Sequence, residues 1–204
     1  DRDLIFAIGT AAAQSAKQAS STSPILFSAV TDPVETGLVA SNQSPDGNIT
    51  GTSDMGPIEN QLGLFKEIDP SIKKKGINNI NDIPQATDSL LKDVDGIYTI
   101  TDNMVASAIN VVADKATKAG ILTIGGEEAH VAGGIALTDG ISYFELGKQT
   151  AKMAKEILVD KKPIKEIPVE VSIRTQKVFN EKTIDQLSKL DLSKVLKDRI
   201  KIND

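Results

Sequence analysis

The sequence contains no cysteine and no tryptophan, a single histidine and only 3% aromatic residues over 204 positions. Without thiols there is no disulfide framework, no thiolate metal site and no cysteine nucleophile, and the redox compartment stays open. An excess of basic charge is missing too: 23 Lys and Arg stand against 28 Asp and Glu, a net charge of -5, with a pI near 5.0. Nucleic-acid binders offer a basic surface to the phosphate backbone, so this balance argues against a nucleic-acid partner. No run approaches the roughly 18 apolar residues of a membrane span, and no signal-peptide pattern is read within these 204 residues. Because the chain opens directly in the strand-like run Leu4 to Gly9, any targeting or anchoring segment is expected upstream.

What is present is a repeated alternation of short apolar runs with helical patterns, the signature of βα units and parallel sheets. With 40% hydrophobic and 25% charged residues, the chain can bury a core of one large domain or two small lobes. Strand patterns lie at 3–8, Pro24 to Val30, Ile49 to Thr52, Gly96 to Ile100, Ile121 to Gly125 and Ile167 to Ile173. Helices are expected after Thr10, from Pro33 with Asp32 as N-cap and Glu35 closing a capping box, and from Pro57 with Ile58, Leu62 and Phe65 inward. Another carries Val105, Ile109, Val112 and Ala116; one from Ile141 to Leu158 has Phe144, Gly147, Ala151, Ala154 and Leu158 on one stripe; a last one is capped by Asn180. Phe65, Phe144 and Met153 read as core residues. Lys73 to Asn81 begins like a buried strand and turns at once into an Asn-rich stretch, as if a βα segment were missing.

Four runs closely resemble the ABC-transporter substrate-binding protein family that includes TrpX-type aromatic amino-acid binders. They are Ala7-Ile8-Gly9-Thr10-Ala11-Ala12-Ala13-Gln14, Phe27-Ser28-Ala29-Val30-Thr31-Asp32-Pro33-Val34, Gly47-Asn48-Ile49-Thr50-Gly51-Thr52-Ser53-Asp54 and Tyr98-Thr99-Ile100-Thr101-Asp102-Asn103. Gly125-Gly126-Glu127-Glu128, Gly133-Gly134-Ile135-Ala136 and the helix from Tyr143 to Ala154 agree as well. The resemblance implies an α/β protein of two Rossmann-like lobes with parallel sheets and a ligand cleft between them. Residues 1–53 would form the main part of the N-terminal lobe and 54–140 the C-terminal lobe. Residues 141–204 would cross back between them, with helix 141–158 on the N-terminal lobe. The first βαβ segment of each lobe, roughly 30 residues or more, has no counterpart here, which leaves a sheet edge that invites self-association.

The same resemblance implies capture of a small solute, an amino acid with tryptophan or phenylalanine favoured, for an ABC permease, without catalysis or cofactor. The protein would be an extracytoplasmic lipoprotein or periplasmic protein, touching the membrane only through an N-terminal anchor, and its lobes would close about a hinge near Gly51 to Asp54. An effector-sensing domain of a regulator uses the same fold and is the second reading. An α/β enzyme is the third, with Asp102 and Glu127 as its only candidate pair.

Ligands of open α/β sheets sit beyond the carboxyl ends of strands, near helix N-termini whose N–H groups favour anions. The candidates are therefore Thr10, Ala11, Ala29, Thr31 and Asp32 in the first half and Asp102, Asn103 and Glu127 in the second. An amino-acid zwitterion needs donors for its carboxylate and an acid for its ammonium. Thr10, Ala11 and Thr31 are assigned to the carboxylate, although Thr10 is equally read as a helix cap. Glu127 is preferred for the ammonium, with Asp102 second and Asp32 explained by its capping box. His130 reads as a surface loop residue, because no serine elbow or metal-ligand cluster accompanies it. Gly125-Gly126 and Gly133-Gly134 lack the Gly-x-Gly-x-x-Gly spacing of a dinucleotide site. Tyr98 and Tyr143 are open between core and cleft lining.

Overall fold

The computed structural model describes residues 2–45, 47–68 and 83–202. In chain order they form β1 (Ile5–Ile8), α1 (Thr10–Ala19), β2 (Ile25–Ser28), β3 (Ile49–Ser53), α2 (Ile58–Ile68) and α3 (Ile83–Leu90). Next come β4 (Gly96–Thr99), α4 (Asn103–Ser107), α5 (Ile109–Lys118), β5 (Leu122–Gly125), α6 (Glu128–Ala132) and β6 (Leu137–Ile141). The remainder is α7 (Tyr143–Leu158), a 3-10 turn at Ile164–Glu166, β7 (Glu170–Val171), β8 (Thr175–Asn180), α8 (Glu181–Gln186), α9 (Ser193–Leu196) and β9 (Ile200–Ile202). The chain divides into two α/β units, one of Asp1–Met55 with Ser142–Arg174 and one of Gly56–Ile141 with Thr175–Asp204. The anomalous stretch Lys73 to Asn81 noted in the sequence lies outside the described residues.

The first unit is built on a parallel sheet in the order β1-β2-β3-β7. Its centre, β2, is buried along its length, as a parallel strand covered on both faces must be. Ile25 and Phe27 face Ala13 of α1, while Leu26 faces Met153 and Ile157 of α7. Each such side chain contributes about 1.5–3 kcal/mol relative to exposure. Polar bonds fix α7 on that face: Thr150 Oγ1 lies 2.7 Å from Thr52 Oγ1 and 3.1 Å from Ser28 Oγ, all buried. Among the described residues β1 pairs with β2 alone, and Phe6 and Ile8 remain 53% and 67% exposed.

Three expectations fail in this unit. Residues 33–37 form a turn rather than a helix; Asp32 Oδ1 accepts from the Val34 and Glu35 amides as a cap would, but Gly37 takes a positive φ of 71° and ends the run after one turn. Helix α7 buries Leu146, Gln149, Thr150, Met153 and Ile157, a stripe rotated from the expected one, so Phe144 is 75% exposed and not core. The expected strand from Ile167 to Ile173 shrinks to the two residues of β7.

The second unit carries the sheet β4-β5-β6-β8-β9, parallel except where β6 meets β8. Leu64 and Phe65 of α2, with Leu187 and Val195, cover one face over Leu122, Ile124 and Leu137. Leu90, Ile109, Val112 and Ala116 pack with Ile97 and Ile135 in a separate cluster. Asn180 caps α8 through Thr183 N, as the sequence indicates, and its Nδ2 donates to Val131 O. Helix α2 departs from expectation: the fully buried Gln61 faces inward, and Ile58 is exposed.

Candidate functional site

In the first unit, the loop after β1 turns at Gly9 with φ 81° and ψ 164°, a region open essentially to glycine alone. Gly9 is therefore the N-cap of α1, with no side-chain hydrogen bond, and Thr10 is the first helical residue rather than the cap. Thr10 and Ala11 thus sit in the first turn of a ten-residue helix whose leading amides point outward from the strand end. At the carboxyl end of β2, Ala29 is held at a positive φ of 58°, a conformation that costs a non-glycine residue free energy and clusters at ligand-binding loops. Thr31 follows, and its carbonyl accepts from Ser53 Oγ at 2.8 Å. Thr10, Ala29, Thr31 and Asp32 are all partly exposed. Tyr143 stands at the start of α7, its hydroxyl donating to Asp54 Oδ2 at 3.2 Å.

In the second unit, Asp102 and Glu127 occupy equivalent N-cap positions with extended backbone, before α4 and α6. Their side chains behave differently. Asp102 Oδ1 accepts from Met104 N at 2.8 Å and Val105 N at 3.0 Å, and Asn103 simply begins that helix. Glu127 makes no capping bond. It is 6% exposed, and its Oε1 lies 3.1 Å from His130 Nε2.

His130 is itself fully buried, contrary to the expectation of a surface loop residue. Its Nδ1 lies 3.0 Å from Thr99 Oγ1, so hydroxyl, imidazole and carboxylate form a buried chain at the ends of β4 and β5. The sequence signal for this contact is the i, i+3 spacing of Glu127 and His130 on one helical turn. Beneath it, Gln61 donates to Gly126 O at 3.0 Å and Asp139 O at 3.1 Å, while Tyr98 Oη donates to Gln61 Oε1 at 2.6 Å. Tyr98 is thus partly buried in the unit, with burial pushing its phenol up to about 12. Arg199 completes the floor, bonded to Thr138 O and paired with Asp139. Gln61, His130 and Arg199 are the residues that pattern reading missed.

The strand ends of the first unit thus carry amide and hydroxyl groups together with Asp32, and those of the second carry Asp102 and Glu127. Among the described residues no group of three His, Cys, Asp or Glu is placed to hold a metal, and no helix is long and apolar enough to cross a membrane. Parallel α/β sheets in two units, with polar groups gathered at strand ends, define a solute-binding class.

The chain belongs to the ABC transporter substrate-binding protein family, whose sequence model matches residues 1–78 and 75–201; members of that family are substrate-binding proteins, not enzymes. It is 35% identical over 232 aligned positions to the tyrosine-binding protein of Clostridioides difficile strain R20291, covering 98% of this chain and 66% of that protein's length. The alignment has more positions than this chain has residues, so the relative carries residues that have no partner here. A conserved domain protein from Vibrio cholerae is structurally similar, with a TM-score of 0.86 and 28% identity over 100% of this chain and 79% of the other. An ABC domain in complex with L-Trp from Streptococcus pneumonia shares the fold, with a TM-score of 0.84 at 24% identity, over 98% of this chain and 78% of the other.

Proposed function

We propose that this chain captures an aromatic amino acid for delivery to an ABC permease outside the cytoplasm, as an anchored lipoprotein or periplasmic protein. Thr10, Ala11, Ala29 and Thr31 are assigned to the ligand carboxylate, through the uncapped first turn of α1 and the strained loop after β2. Glu127 is assigned to the ammonium group. The observation that carries this assignment is burial: Glu127 is 6% exposed at the carboxyl end of β5, at an N-cap its side chain does not cap, whereas Asp32 and Asp102 are partly exposed and accept from the amides that follow them. An ammonium ion gains most from an acid that is desolvated and not already occupied by capping. Tyrosine is the first ligand to test, because the relative at 35% identity is a tyrosine binder; tryptophan and phenylalanine follow.

Thermal unfolding of the protein with tyrosine, tryptophan, phenylalanine, leucine and glucose tests the reading. A ligand that binds only the folded state stabilises by RT ln(1 + [L]/Kd), about 2.7 kcal/mol at a hundredfold excess over Kd. We expect a concentration-dependent rise with an aromatic amino acid and none with leucine or glucose. A flat response to all three aromatic amino acids would remove the assignment.

A further inference from the structure

The strand pairing beside Glu127 is irregular. Strands β5 and β6 pair at Ile124 and Leu137, and their chains meet again at the bridge between Glu127 and Ile141. Between those points the second chain takes four steps where the first takes three, as at a β-bulge, which re-aims side chains and leaves ladder groups unpaired. The residues of β6 that turn toward β5 follow from its other neighbour. Asn180 N donates to Ala136 O and Ser142 N to Arg174 O. Alternation in the antiparallel ladder then gives Thr138 and Gly140 to β8 and turns Leu137, Asp139 and Ile141 toward β5. Leu137 and Ile141 have main-chain partners there, and among the described residues β5 offers none to Asp139. The Asp139 carbonyl accepts from Gln61 Nε2 at 3.1 Å instead, and the same nitrogen donates to Gly126 O at 3.0 Å. Thr138 Oγ1 donates to Gly125 O in the same gap. A Cβ on Gly140 would stand 2.7 Å from Glu127 Cα and 3.0 Å from Gly126 O, so the extra residue fits only without a side chain. A buried carbonyl with no partner is costly, and the fully buried Gln61 removes that cost twice, at the residue before Glu127 and at the strand opposite.

We propose that Gln61 is a positioning residue of the ammonium site: by satisfying Gly126 O and Asp139 O together it fixes the shifted pairing that carries Glu127, and so sets the preference for an amino acid over its des-amino analogue. The inference rests on the assignment of Glu127 above. It concerns the main chain at Glu127, not the contacts of its carboxylate. Continued without a shift, the register of Ile124 with Leu137 would set Glu127 opposite Gly140. Because side chains alternate between faces along a strand, one residue of register decides which face a side chain meets. A Gln61 that merely filled the core would change the affinity of all ligands alike.

The test compares L-tyrosine with 3-(4-hydroxyphenyl)propanoate, which differs only in lacking the amine, by calorimetry on the wild type, Gln61→Met and Thr138→Val. The wild type should prefer tyrosine. Gln61→Met keeps the length of the side chain and removes both donors, leaving Gly126 O and Asp139 O without this partner. It should shrink the preference at least about tenfold, the scale of one hydrogen bond to a charged group. Thr138→Val keeps the shape, removes the companion bond to Gly125 O, and should shrink the preference about threefold. It decides alone should Gln61→Met not fold. Variants that weaken both ligands equally, or bind both as the wild type does, overturn the inference and leave Glu127 as the ammonium partner. A wild type that does not distinguish the two ligands, or binds neither, overturns the Glu127 assignment and this inference with it.

Discussion

The crossing from β4 to α4 and the crossing from β5 to α6 place an acid at the same N-cap position, in nearly the same backbone conformation, and use it for different purposes. At Asp102 φ and ψ are -159° and 135°; at Glu127 they are -150° and 163°. The difference is one methylene. An aspartate carboxylate falls beside the amides two and three residues on and satisfies them, which is why Asp is a preferred cap. A glutamate carboxylate overshoots those amides, and in the second crossing it comes to rest against His130 instead. Asp32 in the first unit repeats the behaviour of Asp102, with its Oδ1 on the Val34 and Glu35 amides. An acid at a strand end thus caps its own helix or turns elsewhere according to its length as much as its place.

The strongest way to break this comparison is to force the two crossings apart where they touch. A Cβ on Gly126 would stand 2.6 Å from Thr101 Oγ1 and 2.8 Å from Thr101 N. Because one of those atoms is backbone, Gly126→Ala should cost about 3 kcal/mol, the upper end for overpacking. It should also abolish binding of tyrosine, measured by denaturant unfolding and calorimetry. A cost under about 1 kcal/mol would mean that the crossings are not packed as described.

A smaller effect separates the two acids themselves. Asp102→Ala removes two capping bonds and should lower stability by about 1 kcal/mol while leaving the tyrosine Kd within about threefold. Glu127→Ala removes no cap; its signature is a Kd weakened at least about tenfold. Should the two variants exchange signatures, Asp102 would be the ligand's partner and Glu127 the structural acid.

The alternation of strand and helix patterns made the α/β class legible, and the strand ends carrying Thr10, Thr31, Asp102 and Glu127 lie where the patterns put them. The strands β6, β8 and β9 were not legible. Thr138, Asp139 and Gly140 interrupt the apolar run of β6, and β8 reads Thr-Gln-Lys-Val-Phe-Asn, with its outer half exposed; pairing with neighbours, not composition, makes these strands. The α7 stripe was misread because its helix is anchored by Gln149 and Thr150, polar residues that hydrophobic periodicity discards. His130 was misplaced for the same reason: a lone histidine has no pattern, and its burial depends on Thr99 and Glu127 arriving from separate strand ends.

The smallest expected effect probes the floor beneath the Glu127 crossing. Tyr98 Oη donates to Gln61 Oε1, which leaves the Gln61 amide nitrogen pointing at Gly126 O and Asp139 O. An ionised phenolate has no proton to give and would face the same oxygen, and burial alone raises the phenol from 10.0 to about 12. The folded protein therefore holds this proton more tightly than the unfolded chain does, so the stability it contributes is complete below pH 10.0 and is lost as pH rises toward about 12. Tyr98→Phe removes this titration. It should lower stability by roughly 1 kcal/mol at neutral pH, the net worth of one hydrogen bond, and the gap from wild type should close as pH climbs through that window. Urea unfolding of both proteins on either side of pH 10.0 measures the gap, and a gap that stays constant would mean that the Tyr98 phenol is not tied to the network that carries Glu127.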